Sequence, residues 1–250
     1  MNKYSNHDRY LDPATGVLLN KLGITDAAEL ELQEAQYAAS RSCELVENPV
    51  SGAFDLAHLQ AIHKALFSDV YEWAGELRTI DIAKGQSYFA HHAHIEHAAQ
   101  SIFSDLAAEN CLAGSDREQF SERAAYYLGE INALHPFREG NGRAQREFIN
   151  HLAYNNDYCI EWKNITREEM VQASIESFKG NPSQFAAFIH HNLCEIAAYD
   201  RQTTGDISLP QVEAPTDNIY DMTPNQQPAP AQSIEAPQIE PSEPSQKLDR

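Results

Sequence analysis

Basic residues are scarce in this chain: 18 Lys and Arg stand against 37 Asp and Glu, giving a formal net charge of −19. Proteins that grip a nucleic-acid backbone normally carry a basic patch or stripe, so no direct nucleic-acid binding is expected, although a single nucleotide can still be held locally. Long apolar runs are missing as well. No stretch approaches the length of a membrane span, and the N-terminus, MNKYSNHDRYLDP, lacks the apolar segment of a leader peptide. A soluble protein that begins in the cytoplasm, with no membrane partner, is the expectation. Cysteine is also sparse. Cys43, Cys111, Cys159 and Cys194 lie far apart, with no CxxC and no ligand-like pairing with histidine, so they read as reduced, partly buried thiols rather than a disulfide framework. No internal repeat is visible.

What the chain does have is enough length, 250 residues and 28.0 kDa, to bury a proper core in one domain or two small ones. Residues 1–24 mix Pro13, Gly16 and Gly23 with Tyr4, Tyr10 and Leu18 and read as an irregular arm laid on a domain, ordered in part. From Asp26, a capping residue, helix formers run to Asn48 and Pro49, and a second helix spans Asp55 to Phe67 with Phe54, Leu59, Ile62, Leu66 and Phe67 on one face. The next stretch, YEWAGELRTIDIAKGQSYFAHHAHIE, is punctuated by Gly75 and Gly85, and its β-prone run Thr79 to Ile82 predicts a small hairpin or flap. Helix resumes from His94 to Leu112. Ser115 and Glu118 have the spacing of a capping box that opens another helix, whose stripe of Phe120, Ala124, Tyr127, Leu128, Ile131 and Leu134 leads to His135.

Beyond the loop that follows, Arg143 to Tyr154 is helical with Phe148, Leu152 and Ala153 inward. Thr166 and Glu169 form a capping box, and Asn181 with Pro182 starts a last helix to about Tyr199. The fold class is all-α: about seven helices and a small β-hairpin flap in a domain of residues 25–200. After Asp200 the composition breaks. Eight of the 12 prolines fall between Pro210 and Pro244, so 201–250 reads as an acidic, proline-rich, disordered tail.

The segment His135 to Arg146, HPFREGNGRAQR, concentrates the chemistry. Gly140, Asn141 and Gly142 can take tight or positive-φ turns, so successive backbone N–H groups could face one concavity at the start of the next helix, an anion site reinforced by the helix dipole. Arg143 and Arg146, three apart, can clamp phosphate oxygens from one side. Glu139 stands where a carboxylate beside phosphates commonly holds Mg²⁺. His135 is the side chain in the segment suited to accept a proton near neutral pH. Pro136 and Phe137 fix the loop, the phenylalanine by reaching into the core. Each feature also has an ordinary reading: a histidine at a helix end, a turn, a solvated basic face. It is their union in twelve residues that points to an anion site, and physics alone does not name the reaction.

HPFREGNGR resembles the signature of the Fic family: His, any residue, Phe, any residue, Asp or Glu, Gly, Asn, Gly, Arg, with a second Arg three positions on. The upstream YEWAGELRTIDIAKGQSYF is similar to the family's flap region, in which Trp73-Ala74-Gly75, Arg78 and Lys84-Gly85 recur before Phe89. The resemblance implies a helical protein adenylyltransferase that moves AMP from ATP to a Ser, Thr or Tyr hydroxyl of a target protein. It makes His135 the base, Glu139 the Mg²⁺ holder, Gly140, Asn141 and Gly142 the phosphate cradle, Arg143 the β-phosphate ligand and Arg146 the γ-phosphate ligand. Lys84, Gly85 and Phe89 belong to a flap that would hold the target by main-chain pairing. Members that phosphorylate their targets have Lys where this chain has Gly142, so AMP transfer is favoured. A non-catalytic binding module and a phosphodiester hydrolase that removes such modifications are the alternatives.

The resemblance also bears on control. The family's inhibitory helix carries Ser or Thr, three residues, Glu, then Gly or Asn. Thr25 to Glu29 and Ser40 to Glu44 have the spacing, but Leu30 and Leu45 follow. A toxin-type enzyme silenced by a separate small antitoxin, whose Glu reaches Arg146, is therefore expected, with a type II topoisomerase subunit as the target suggested by analogy. The cluster His91, His92, His94 and His97 reads as exposed histidines at a helix start, His190 and His191 as surface or packing residues, and Trp73 as an anchor for the hairpin.

Overall fold

The computed structural model describes residues 8–84 and 87–196. Among them seven α-helices form the body: α1 Ala27–Glu47, α2 Leu56–Phe67, α3 Ile95–Ala108, α4 Arg117–Leu134, α5 Asn141–Tyr154, α6 Arg167–Phe178 and α7 Ser183–Asn192. Two antiparallel pairs accompany them, β1 Ala83–Lys84 with β2 Ser87–Tyr88, and β3 Tyr158–Ile160 with β4 Leu193–Glu195.

Helix starts follow local chemistry. Asp26 and Asp55 accept from the backbone N–H of Glu29 and His58, and Thr166 and Glu169 complete a capping box at α6. At α4 the expected Ser115–Glu118 box is not formed. Asp116 caps instead, accepting from the Gln119 N–H, so the helix begins one residue later and Glu118 falls in its first turn, where its charge suits the dipole. α4 is the central element, packed against α3, α5, α6 and α7. Phe120, Ala124, Tyr127, Leu128, Ile131 and Leu134 are all buried, because positions three and four apart stack on one side of a helix. Each such large apolar side chain contributes on the order of 1.5–3 kcal/mol on burial.

Further expectations differ from the structure. The predicted hairpin run Thr79–Ile82 is not strand; the strands lie at Ala83–Lys84 and Ser87–Tyr88. Its backbone groups are already engaged, the Thr79 N–H by the Tyr10 hydroxyl at 3.2 Å and the Ile80 carbonyl by Arg78 Nη1 at 2.7 Å. The helix expected over 94–112 ends at Ala108, and Asn110, Cys111 and Leu112 make a tight left-handed turn with φ of 52°, 50° and 61°. The last helix stops at Asn192 rather than about Tyr199. Residues Leu193–Glu195 instead pair with β3, which sets Cys159 opposite Cys194, and the two are joined in a disulfide with Cα atoms 5.1 Å apart. This overturns the reading of four reduced thiols. The partners are 35 residues apart and meet only through strand pairing, which no spacing pattern announces. Cys43 and Cys111 are free.

The arm from residue 8 is docked on the body: Tyr10 and Val17 are buried, the Lys21 N–H donates to the Val70 carbonyl, and Arg138 pairs with Asp8 at 2.9 Å. Trp73 stacks on Tyr71 and meets Tyr10 edge-on, so it anchors the arm rather than the hairpin. The tail 201–250 lies outside the described residues, as do Gly85 and Gln86. Among the described residues no helix is long and apolar enough to cross a membrane.

Candidate active site

The site grows from the end of α4. His135 is its C-cap, in the left-handed region with φ 47° and ψ 62°, and its N–H donates to the Ile131 carbonyl. A non-glycine residue there is strained by about 1 kcal/mol or more, so surrounding contacts must hold it. They do. The imidazole is buried, lies 3.8 Å from the stacked ring of Phe89, and places Nδ1 3.3 Å from the Asn132 carbonyl. A carbonyl only accepts, so Nδ1 carries the hydrogen and the basic lone pair is on Nε2.

The loop is then clamped from within. Asn141 Oδ1 accepts from the Phe137 N–H at 2.9 Å while its Nδ2 donates to the Phe137 carbonyl at 2.8 Å. Phe137 is fully buried and stacks at 3.8 Å on His63, a residue the sequence reading passed over. His63 Nδ1 accepts from the Gly75 N–H and its Nε2 donates to the Glu139 carbonyl at 2.9 Å. Burial pushes its pKa down to about 3, so the ring stays neutral and keeps both bonds. Gly140 has φ 76°, and a Cβ there would meet the Phe67 ring at 2.4 Å. Only Gly140 of the three cradle residues has a positive φ; Asn141 and Gly142 already belong to the first turn of α5. An α-helix leaves its first N–H groups without intrahelical acceptors, so this turn presents donors and a positive dipole end. Glu139 is partly exposed at its lip, with Oε1 accepting from the Gly140 N–H at 2.8 Å.

Of the two arginines, Arg146 is partly buried one turn along α5. Arg143 is turned toward α1: its Nη2 pairs with Glu34, and its guanidinium lies 4.7 Å from the centre of the Phe67 ring. Burial works against the Arg143 charge, but the carboxylates of Glu34 and Glu139 outweigh it and hold the pKa above its usual value.

Arg78 joins the loop to the flap. It is buried to 2 % exposure and donates to the carbonyls of His135 and Ile80 at 2.8 and 2.7 Å, and to that of Ala90. Its own N–H donates to the Pro136 carbonyl, and the Ala90 N–H to the Ala133 carbonyl. Both stems of the flap are thus fastened where α4 ends. Beyond them, among the described residues, Ala83↔Tyr88 and Lys84↔Ser87 pair, and Tyr88 is 75 % exposed. Of the three flap residues singled out in the sequence, Phe89 reaches His135, Lys84 lies in β1, and Gly85 is outside the described residues. Within the histidine cluster, Asp81 accepts from His92 Nδ1 at 2.9 Å and faces His91 Nε2 at 3.1 Å, while His94 and His97 are exposed. His190 and His191 are exposed.

The Fic/DOC family profile matches residues 53–153, which hold the flap, the loop and nearly all of α5. Relatives extend the match. Protein adenylyltransferase VbhT of Bartonella schoenbuchensis is 52% identical over 202 residues, 80% of this chain and 42% of that protein. The probable protein adenylyltransferase Fic of Salmonella typhimurium is 38% identical over 188 residues, 75% of this chain and 93% of that one.

The chain belongs to the Fic/DOC family. Solved Fic-family structures agree in fold: the BepC effector of Bartonella tribocorum with bound AMPPNP superposes with a TM-score of 0.73 at 26% identity, covering 77% of this chain and 99% of that one. The N-terminal Fic domain of a Bartonella quintana effector, with bound ADP, gives 0.73 at 29% identity, covering 76% and 96%. The chain spans less than half the length of the VbhT relative, so its Fic site is compared with that relative's matching part alone.

Proposed function

We propose that this Fic-family chain is a protein adenylyltransferase that transfers AMP from ATP to a Ser, Thr or Tyr hydroxyl of a target protein. The observation that carries the reading is one rigid loop that presents the His135 imidazole, with its lone pair on Nε2, beside the donor-rich first turn of α5. The hydroxyl oxygen attacks the α-phosphorus, the bond from that phosphorus to the bridging oxygen breaks, pyrophosphate leaves, and His135 Nε2 takes the hydroxyl proton. Such a transfer depends on positioning and on neutralised charge rather than on a covalent enzyme intermediate. The α5 turn would cradle the phosphates, Arg146 would reach the γ-phosphate, and Arg143 the β-phosphate. Gly142, rather than a lysine, supports AMP as the transferred group. Relatives named protein adenylyltransferase, and Fic structures holding AMPPNP and ADP, support ATP as donor.

A single carboxylate, Glu139, already oriented on the Gly140 N–H, suits Mg²⁺, which favours one or two carboxylates plus phosphate oxygens. Bound there, the ion would neutralise charge on the α- and β-phosphates. The flap would receive an extended target segment along its main chain, and a type II topoisomerase subunit is the target class the family analogy suggests. Control by a separate small antitoxin acting on Arg146, in the cytoplasm, completes the proposal; Glu44 is paired with Arg41, and Glu29 is exposed in the first turn of α1.

The test is incubation of purified chain with labelled ATP, Mg²⁺ and a cell lysate. Label on a protein band that is absent with His135→Ala supports the proposal. A chain freed of any antitoxin that leaves no label points to a binding module, and removal of a pre-installed AMP without incorporation points to a hydrolase.

A further inference from the structure

The inward stripe of α1 reads Leu30, Glu34, Ala38, a four-residue repeat in which the middle position is a carboxylate. Glu34 is 2 % exposed. A buried carboxylate costs several kcal/mol unless its oxygens are paired, so its partners explain its presence. One oxygen accepts from Arg143 Nη2 and the other from the Tyr71 hydroxyl, while Tyr71 is itself fixed by stacking at 4.2 Å on Trp73. Below the guanidinium lies the Phe67 ring, the same ring that leaves no room for a Cβ at Gly140. Arg143 is thereby referenced to three elements outside its own helix: Glu34 on α1, Phe67 on α2 and Tyr71 in the segment after it. Burial pushes the Glu34 carboxyl above its usual value, and the donors on both oxygens oppose that shift. Glu34, Phe67 and Tyr71 all lie outside the phosphate-binding motif.

We infer that Glu34 is a positioning residue for nucleotide binding: with Tyr71 it holds the Arg143 guanidinium in the one placement that serves the phosphates beyond the α-phosphate. The inference rests on the adenylyltransferase reading. Glu34 itself touches no phosphate; it acts through Arg143, and a bidentate fork held in register binds phosphate oxygens better than a mobile one.

This predicts an effect that depends on which phosphates the ligand carries. In calorimetric titration of the full chain with Mg²⁺ present, Glu34→Gln weakens ATP binding about tenfold and leaves AMP binding within about twofold, since AMP lacks the groups Arg143 would serve. In an Arg143→Ala background the same substitution changes ATP binding no further. Tyr71→Phe, which removes only the hydroxyl, acts in the same direction with a smaller loss and provides the measurement if Glu34→Gln does not fold. Circular dichroism and melting temperature establish folding for each variant. ATP binding equal to or tighter than wild type in folded Glu34→Gln or Tyr71→Phe, equal losses for ATP and AMP, or an undiminished loss on the Arg143→Ala background overturns the inference. A wild-type chain that binds no ATP overturns the adenylyltransferase reading itself, which is a different result.

Discussion

The loop from His135 to Gly140 and the flap that faces it are neighbours built on opposite plans. Every turn of the loop is fixed more than once. Asn141 closes it on Phe137, His63 holds Glu139, Phe67 occupies the space beside Gly140, and Phe89 covers His135. The flap has two residue pairs between its strands and an exposed tyrosine. The difference would suit the two tasks proposed for them. A group that aligns a proton acceptor with phosphates loses rate when displaced by an ångström, whereas a surface that accepts many sequences by main-chain pairing needs only to present a strand edge.

The largest expected effect comes from the residue that joins the two. Arg78→Ala removes the donor shared by the carbonyls of His135, Ile80 and Ala90 and should cost on the order of 3–5 kcal/mol, as loss of a buried, fully bonded charge does. Urea unfolding would measure it, and a cost below about 1 kcal/mol would break the claim that loop and flap stems share one fastening. Gly140→Ala comes next. Overpacking against Phe67 and a positive φ together should cost about 2–3 kcal/mol and abolish nucleotide binding, whereas an alanine variant with wild-type melting temperature would mean that the loop yields.

A smaller, pH-dependent effect belongs to His63. Its pKa is about 3 when folded and near 6.5 when unfolded, so the unfolded chain binds the extra proton between those values, and stability falls as pH drops from about 6.5 toward 3. The steepest slope from one such group is about 1.4 kcal/mol per pH unit. Between pH 7 and 5, above the range where most carboxylates titrate, His63→Gln should show a shallower decline than wild type. His58, whose pKa burial also lowers, contributes in the same direction to both proteins and leaves a residual slope. The smallest effect is on the flap's β2, where Tyr88→Ala should change stability by less than about 0.5 kcal/mol while altering which target proteins are labelled. If Tyr88→Ala instead destabilised the chain as much as Gly140→Ala, the contrast between the two regions would not hold.

Much of this is legible in the sequence. Caps at Asp26 and Thr166, the α4 stripe and the glycine-bounded motif are all patterns contained within a few residues, and a helix reads such patterns directly because its neighbours lie three and four positions apart. Where local signals competed, the reading slipped: Ser115 and Asp116 each offered a cap one residue apart, and the Thr79–Ile82 run had strand propensity but its polar groups were taken by Tyr10 and Arg78.

By itself the sequence determined that His135, Glu139, Gly140 and the start of α5 would share one loop at the end of a core helix, since adjacency in the chain makes adjacency in space. The tertiary structure alone decided what holds them. Glu34 meets Arg143 across 109 residues, His63 meets Glu139 across 76, and Cys159 meets Cys194 across 35. Those pairings depend on how whole helices and strands pack against one another. A glutamate in an apolar stripe or a buried histidine on α2 carries no local mark of the partner that packing will bring to it.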